Sequence, residues 1–117
     1  MVWKFRKRGY SLETLKRLVY LISPNKIYKN FYLDLKEVLA TKKIEFFQLR
    51  LKKISRNELI KIGIKIKYIT KKYNVKFIVN DSPEIAKKID ADGCHIGQSD
   101  GKIIDAKKYL KNKLIGV

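Results

Sequence analysis

Two cations and an amide alternate with leucines in one short segment, an arrangement that suits the binding of a phosphorylated ligand. If residues 48–52 form a β-strand, Gln48, Arg50 and Lys52 share one face and the intervening leucines share the other. Burying two cations there is costly unless an anion lies beside them. A diphosphate is a suitable anion, because the planar arginine guanidinium can donate two hydrogen bonds to phosphate oxygens and the lysine ammonium supplies a mobile positive charge. The alternative is that the strand ends early and leaves Lys52 and Lys53 in a solvated loop.

A carboxylate and an amide follow a second apolar run. Residues 77–79 are apolar, and Asn80 and Asp81 come directly after them, before a Ser82-Pro83 helix start. A hard cation such as Mg²⁺ takes one or two protein carboxylates and fills its other positions with water and phosphate oxygens, which makes Asp81 a candidate ligand. The alternative is that Asp81 or Ser82 is the N-cap of the helix.

A third polar cluster occupies residues 92–100, around a run that is typical of a strand. Asp100 lies one loop beyond this strand, where it either completes a metal site with Asp81 or caps the next helix. Gly97 would let the backbone approach a ligand closely. His95 lies inside the strand, which favours a structural histidine over a catalytic one, and Cys94 alternates to the opposite face.

The elements that must position these clusters alternate between strands and helices. Short aliphatic and aromatic runs predict strands at 19–22, 45–51, 75–79, 93–97 and 114–117. Helical spacing, a Ser55-x-x-Glu58 capping box and Ser82-Pro83 predict helices at 11–18, at 31–39, from 55, from 82 and at 103–110. Such alternation indicates a parallel sheet with crossover helices, either an open doubly wound sheet or a barrel.

In both parallel folds, ligands bind at the carboxyl ends of the strands. The three polar clusters follow three successive predicted strands. Together they supply a cationic pair, an amide and two carboxylates, which is the arrangement expected for a magnesium diphosphate site.

The charge of the chain is strongly positive but diffuse. Its 28 Lys and Arg against 11 Asp and Glu give a net charge of +17, which by itself favours a nucleic-acid or anionic-membrane partner. The lysines are spread over the predicted helices among isoleucines and asparagines, a pattern that biased composition also produces. The densest cluster, residues 4–8, is typical of a solvated amino-terminal extension.

Two further features limit the classes of protein to which the chain can belong. No run approaches the roughly 18 apolar residues of a membrane span, so we expect a soluble protein without a membrane partner. Cys94 is the single cysteine, which excludes an intrachain disulfide and a cysteine-rich zinc site and indicates a reducing, cytoplasmic location.

These motifs resemble the thiamine phosphate synthase family, a (β/α)8 barrel group that includes the related thiazole tautomerases. The resemblance runs from Val19 to Val117 and is strongest at residues 48–52, 80–81 and 91–100. It implies an α/β fold of the (β/α)8 TIM-barrel type, with only the first four βα units and the start of the fifth strand present. On this interpretation residues 1–18 are a basic extension with a short helix and residues 19–117 are the amino-terminal half of a barrel.

The resemblance also implies an activity and a set of site residues. The reaction joins 4-amino-2-methyl-5-(diphosphooxymethyl)pyrimidine to thiazole phosphate, giving thiamine phosphate and diphosphate by a largely dissociative substitution. The residues implied to bind the pyrimidine diphosphate are Gln48, Leu49, Arg50, Leu51, Lys52 and Asn80. The residues implied to hold the Mg²⁺ cofactor are Asp81 and Asp100.

Family features that follow the fifth strand, including the thiazole phosphate site and a glycine-rich phosphate loop, are absent from this sequence. We therefore expect a truncated product, a partial sequence, or a half that assembles as a homo-oligomer or with a missing carboxy-terminal half. Half a barrel is also expected to leave two strand edges open.

Two alternative hypotheses about function remain open besides the synthase. One is a thiazole tautomerase-like paralogue, which transfers no diphosphate and would not need the pair Asp81 and Asp100. The other is a basic nucleic-acid-binding protein without catalysis, supported by the net charge and by residues 4–8. The predicted partners remain the small-molecule substrates rather than nucleic acid.

Overall fold

The described part of the chain contains seven strands and four helices. A computed structural model describes the backbone at residues 2–7, 10–15, 18–97 and 100–116, and the side chains at 19–97 and 103–116. The strands are β1 Val2–Lys7, β2 Tyr10–Leu15, β3 Leu18–Ile22, β4 Phe46–Leu49, β5 Lys76–Asn80, β6 Gly93–His95 and β7 Leu114–Gly116. The helices are α1 Phe31–Ala40, α2 Arg56–Lys72, α3 Pro83–Lys88 and α4 Asp100–Tyr109.

The strands β3 to β7 are parallel, and each is joined to the next by one helix. Their order in the sheet follows the order in the chain without a reversal. A doubly wound sheet reverses its strand order partway, whereas a barrel continues in one direction with its helices on one side. The described residues therefore form four βα units and a fifth strand of the barrel type, which confirms the predicted fold class.

One face of the parallel sheet packs against the helices and forms the core. The phenylalanines Phe31 on α1, Phe47 on β4 and Phe77 on β5 are fully buried. Their ring centroids lie 6.4 Å apart between Phe31 and Phe47, and 6.3 Å apart between Phe47 and Phe77. Burying such a side chain stabilises the fold by about 1.5–3 kcal/mol, so this row of rings ties α1 to two neighbouring strands.

The other face of the sheet, called the inner face below, carries the alternate residues of the same strands. Tyr20, Gln48, Asn80 and His95 belong to it, because each alternates with residues of the helix-facing core. The polar residues of the strands are thus separated from the apolar helix layer.

Two helix starts follow the chemistry that the sequence predicts. The Ser55 Oγ accepts a hydrogen bond from the Glu58 N–H at 3.2 Å, which confirms Ser55 as the N-cap of α2. The Ser82 Oγ accepts from the Ile85 N–H at 3.4 Å, and Pro83 occupies the first turn of α3. Both caps lie next to loops at the carboxyl edge of the sheet.

The helix predicted at residues 11–18 is wrong, because this segment contains strand β2. It pairs antiparallel with β1 on one side and with β3 on the other. An isolated helix of eight residues is marginal in water, whereas pairing with β3 satisfies the backbone groups of both strands. The described backbone of the amino-terminal segment therefore forms a hairpin of β1 and β2, and the predicted open edge at β3 is covered. Residues 8 and 9, and residues 16 and 17 of the predicted helix, lie outside the described part.

Within the described residues, none of the helices is both long and apolar enough to cross a membrane.

Candidate functional site

The candidate site lies at the carboxyl edge of the parallel strands. The loops that leave β3, β4 and β5 all begin at this edge, because the strands are parallel and in register. The three loops carry residues 23–30, 50–55 and 81–82. The polar clusters after β4 and β5 are thereby brought to neighbouring positions.

Gln48 is the most buried polar residue of the site. Gln48 is 3% exposed and lies on the inner face, while its neighbours Phe47 and Leu49 lie in the helix-facing core. The Gln48 Nε2 donates to the Tyr20 hydroxyl at 3.0 Å. The Tyr20 ring stacks on Phe46 with centroids 5.5 Å apart. Two neighbouring strands therefore hold the amide in one orientation.

Arg50 and Lys52 lie beyond the end of β4 and are exposed. The prediction that they lie on a buried strand face is wrong, because the strand ends at Leu49. The alternative of an early strand end is the observed one. Their charges remain hydrated, so the cost expected for burying two cations does not arise. Leu51 is half-buried and packs against the core.

The backbone of this cationic loop is tied to the loop that follows β3. The Arg50 N–H donates to the Ser23 Oγ at 2.9 Å, and the Lys52 N–H donates to the Asn25 carbonyl at 3.1 Å. Ser23 is itself buried, and its N–H donates to the Gln48 carbonyl at 2.9 Å. The two exposed cations are thus carried by a backbone that is anchored at both residues.

Asp81 stands at the end of β5 with a backbone conformation that few residues adopt. Its φ is 59°, in the left-handed region that aspartate tolerates better than most non-glycine residues. Its N–H donates to the His95 carbonyl at 2.8 Å, and the Asn80 Nδ2 donates to its Oδ2 at 3.4 Å. Ser82 provides the cap of α3, so the exposed Asp81 carboxylate is not used as the helix cap.

The position of the second predicted metal ligand is described only by its backbone. Asp100 is the first residue of α4, and its side chain lies outside the described part, as do residues 98 and 99. Pairing of Asp81 with Asp100 stays a prediction. Among the side chains that are described, no three His, Cys, Asp or Glu residues cluster in a way that could hold a metal ion.

His95 and Cys94 occupy opposite faces of β6, as the alternation predicts. His95 is half-buried on the inner face, and a Cβ at Gly116 would come within 3.2 Å of its Nδ1. Cys94 is buried in the core, and burial raises the pKa of its thiol to about 11. A hydrogen bond from the Ser82 backbone opposes this rise, and the Asp81 carboxylate adds to it. The thiol is therefore protonated and unreactive at neutral pH.

Sequence reasoning missed Tyr20 and Ser23. Tyr20 lies within the strand predicted at 19–22, and Ser23 lies just after it. The register of the predicted strands could have identified Tyr20, because Tyr20 and Gln48 lie on the same face of neighbouring parallel strands. Asp92 was grouped with the third cluster, but its Oδ2 accepts from the Phe77 N–H at 2.7 Å, near the opposite edge of the sheet.

Comparison with known proteins gives a consistent result. A family model described as Thiamine monophosphate synthase matches residues 19–117. The thiamine-phosphate synthase of Pelagibacter ubique (strain HTCC1062) is 60% identical over 103 residues, which cover 87% of this chain and 50% of that protein. The thiamine-phosphate synthase of Clostridioides difficile (strain 630) is 39% identical over 110 residues, which cover 90% of this chain and 52% of that protein.

Similarity extends to a solved structure, the thiamine phosphate pyrophosphorylase from Pyrococcus furiosus. The TM-score is 0.71 at 28% sequence identity, and the match covers 82% of this chain and 46% of that one. The chain spans about half the length of the relatives that it matches.

Proposed function

The chain belongs to the thiamine monophosphate synthase family, and on this premise we propose that it supplies the pyrimidine diphosphate-binding half of a thiamine phosphate synthase. The complete reaction joins 4-amino-2-methyl-5-(diphosphooxymethyl)pyrimidine to thiazole phosphate and releases diphosphate. The observation that carries the proposal is the position of Arg50, Lys52 and Asp81 at the carboxyl ends of two adjacent parallel strands.

The proposed diphosphate site is formed by the segment 48–52. Arg50 offers a planar fork of donors and Lys52 a mobile charge, and both are exposed and free of ion pairs among the described residues. The anchored backbone of this loop limits the entropy lost when the cations close on an anion. Leu49 and Leu51 contribute by packing into the core and holding the segment in place.

The proposed pyrimidine contacts are the amides of Gln48 and Asn80. Gln48 is fixed by Tyr20, and Asn80 lies half-buried at the end of the neighbouring strand. Amide groups both donate and accept hydrogen bonds. They suit an aminopyrimidine, whose amino group donates and whose ring nitrogens accept.

The proposed cofactor is Mg²⁺, held by Asp81 and Asp100. The fit rests on Asp81, which presents an exposed carboxylate that neither caps a helix nor pairs with a described cation. A hard oxygen donor of this kind suits Mg²⁺, which takes few protein ligands and keeps positions for water and phosphate. When bound there, the metal supplies Lewis-acid stabilisation of negative charge on phosphate oxygens.

In the proposed reaction, the carbon–oxygen bond to the diphosphate breaks and both electrons leave with the diphosphate. The thiazole nitrogen then donates its lone pair to the resulting pyrimidine cation and forms the new carbon–nitrogen bond. Arg50 and Lys52 act on the first step, because their positive charges meet the negative charge that develops on the leaving group. Residues that hold the thiazole phosphate are not assigned to this half.

Binding of the pyrimidine diphosphate tests this proposal. Calorimetry on the 117-residue chain is expected to detect binding in Mg²⁺ that weakens when EDTA removes the metal. Arg50→Gln and Asp81→Asn are each expected to weaken binding about tenfold or more, because a charge-assisted contact contributes about 1.5–3 kcal/mol. Lys111→Gln and Asp105→Asn change exposed residues elsewhere and are expected to bind normally. Binding that none of the four changes alters would refute these roles.

A further inference from the structure

An open groove of about 450 Å³ lies between α1 and α2 on the outside of the sheet. We call it the α1–α2 groove. It is lined among others by Tyr32 and Lys36 of α1 and by Ile64, Lys65, Tyr68 and Lys72 of α2. It shares no residue with the candidate site, so the proposed function leaves it unexplained.

The apolar part of the groove is unusually exposed. Ile64 is 56% exposed and Tyr68 is 77% exposed, and the two lie four residues apart on the same face of α2. Single exposed apolar side chains are common, but adjacent ones beside a concave surface are typical of a protein interaction site.

The walls of the groove carry one sign of charge. Lys36, Lys65 and Lys72 line it, and the only acidic residue of α2 is Glu58 in its first turn. The Lys65 Nζ lies 5.5 Å from the centroid of the Tyr32 ring, and the Lys72 Nζ lies 5.7 Å from that of Tyr73. These cation–π contacts hold two ammonium groups beside the apolar surface rather than leaving them free in solvent.

We propose that the α1–α2 groove docks an acidic amphipathic helix of another protein. Apolar residues of such a helix at positions i, i+3 and i+4 would cover Ile64 and Tyr68, and its flanking carboxylates would face the lysines. A second copy of this chain is disfavoured, because a symmetric contact would bring lysine-lined walls together between molecules of net charge +17. The apolar lining distinguishes the groove from a surface for phosphates alone, which would need only the cations.

The test uses a fluorescein-labelled peptide of about 16 residues with Leu and Phe on one helical face and Glu elsewhere. Fluorescence anisotropy with the 117-residue chain is expected to show binding. A scrambled peptide of the same composition is expected to bind at least about tenfold more weakly, because it keeps the charge but loses the apolar face. The double variant Ile64→Ser/Tyr68→Ser is expected to lose affinity for the first peptide by a similar factor.

The matched control is Ile104→Ser/Tyr109→Ser on α4. Ile104 is 58% exposed and Tyr109 is 44% exposed, and Lys87 lies over the Tyr109 ring as Lys65 lies over Tyr32. This control is expected to bind normally, and circular dichroism checks that both double variants keep their helices. Equal affinity for the ordered and scrambled peptides would overturn the proposal. Equal loss of peptide affinity in both double variants would also overturn it. So would binding to phosphatidylserine vesicles or to an oligonucleotide, if that binding were stronger than binding to the peptide and were lost in Ile64→Ser/Tyr68→Ser.

Discussion

Gln48 shows how one residue of the site depends on its neighbour in the sheet. Its buried amide donates to the Tyr20 hydroxyl, and Tyr20 is fixed in turn by stacking on Phe46. An amide buried in this way is costly to leave without a partner, because water cannot replace the lost hydrogen bond. The orientation of Gln48 is therefore set before any ligand binds.

Tyr20→Phe removes the hydroxyl that accepts from Gln48. We expect the free energy of unfolding to fall by about 1–3 kcal/mol, measured by urea denaturation with linear extrapolation. Tyr68→Phe changes a side chain that is 77% exposed and is expected to shift stability by less than about 0.5 kcal/mol. If the two variants were equally stable, the Gln48–Tyr20 hydrogen bond would have no structural role.

Asp90 gives a prediction about pH. A hydrogen bond and the charge of Lys113, followed by the charge of Lys67, lower the pKa of this carboxyl below its ordinary value. Because the pKa is lower in the folded chain than in the unfolded chain, the stabilisation is present above the unfolded value. It is lost as the pH falls through the folded value. The side chain is largely exposed, so the contribution is at most about 1 kcal/mol.

The measurement compares unfolding free energies of Asp90→Asn and the unsubstituted chain at neutral and at strongly acidic pH. The variant is expected to be less stable at neutral pH, and the difference is expected to shrink as Asp90 becomes protonated. Asp105→Asn, an exposed aspartate of α4, is expected to show little change at either pH. A difference that widened toward acid would contradict the sign of the pKa shift.

Single residues were predictable from the sequence where alternation or capping chemistry applied. The separation of Gln48 from Phe47 and Leu49 follows from the period of a strand. The left-handed backbone of Asp81 and the bond from Arg50 to Ser23 could not be predicted, because both depend on contacts between distant segments.

At the scale of elements, α2 is the longest helix, and its first turn borders the loop that carries Arg50 and Lys52. Ser55→Ala removes the side chain that caps this helix and is expected to destabilise the chain by about 1 kcal/mol. A thermal melt should show this as a midpoint lowered by a few degrees. Ser55→Asp keeps a capping oxygen and should melt close to the unsubstituted chain. Equal melting of the alanine and aspartate variants would exclude a capping role for Ser55.

Most elements were predicted from the sequence, and the exceptions have a physical cause. The helices α1 and α2 have apolar residues at helical spacing, and α2 and α3 also have capping serines, so local chemistry determines them. Residues 11–18, which contain most of strand β2, were predicted as a helix because the leucines at 12, 15 and 18 match a helical period. The pairing of β2 with β3 is a tertiary interaction, which overrides such a weak local preference.

At the scale of the whole molecule, the parallel sheet places the diphosphate-binding candidates and Asp81 at one edge, and the α1–α2 groove lies on the outer surface. The chain spans about half the length of its relatives. The roles proposed for residues 1–117 are therefore confined to the pyrimidine diphosphate and the metal, and none of these residues is proposed to bind the thiazole phosphate.

The most direct test of this assignment is a chimaera that joins residues 1–117 to the carboxy-terminal half of the Pelagibacter ubique synthase. The half-chains match at 60% identity, which favours a compatible interface. Incubated with pyrimidine diphosphate, thiazole phosphate and Mg²⁺, the chimaera is predicted to form thiamine phosphate. Asp81→Asn is predicted to lower the rate about 100-fold or more, and Asp105→Asn to leave it unchanged. A folded chimaera without product, or full activity with Asp81→Asn, would contradict the account.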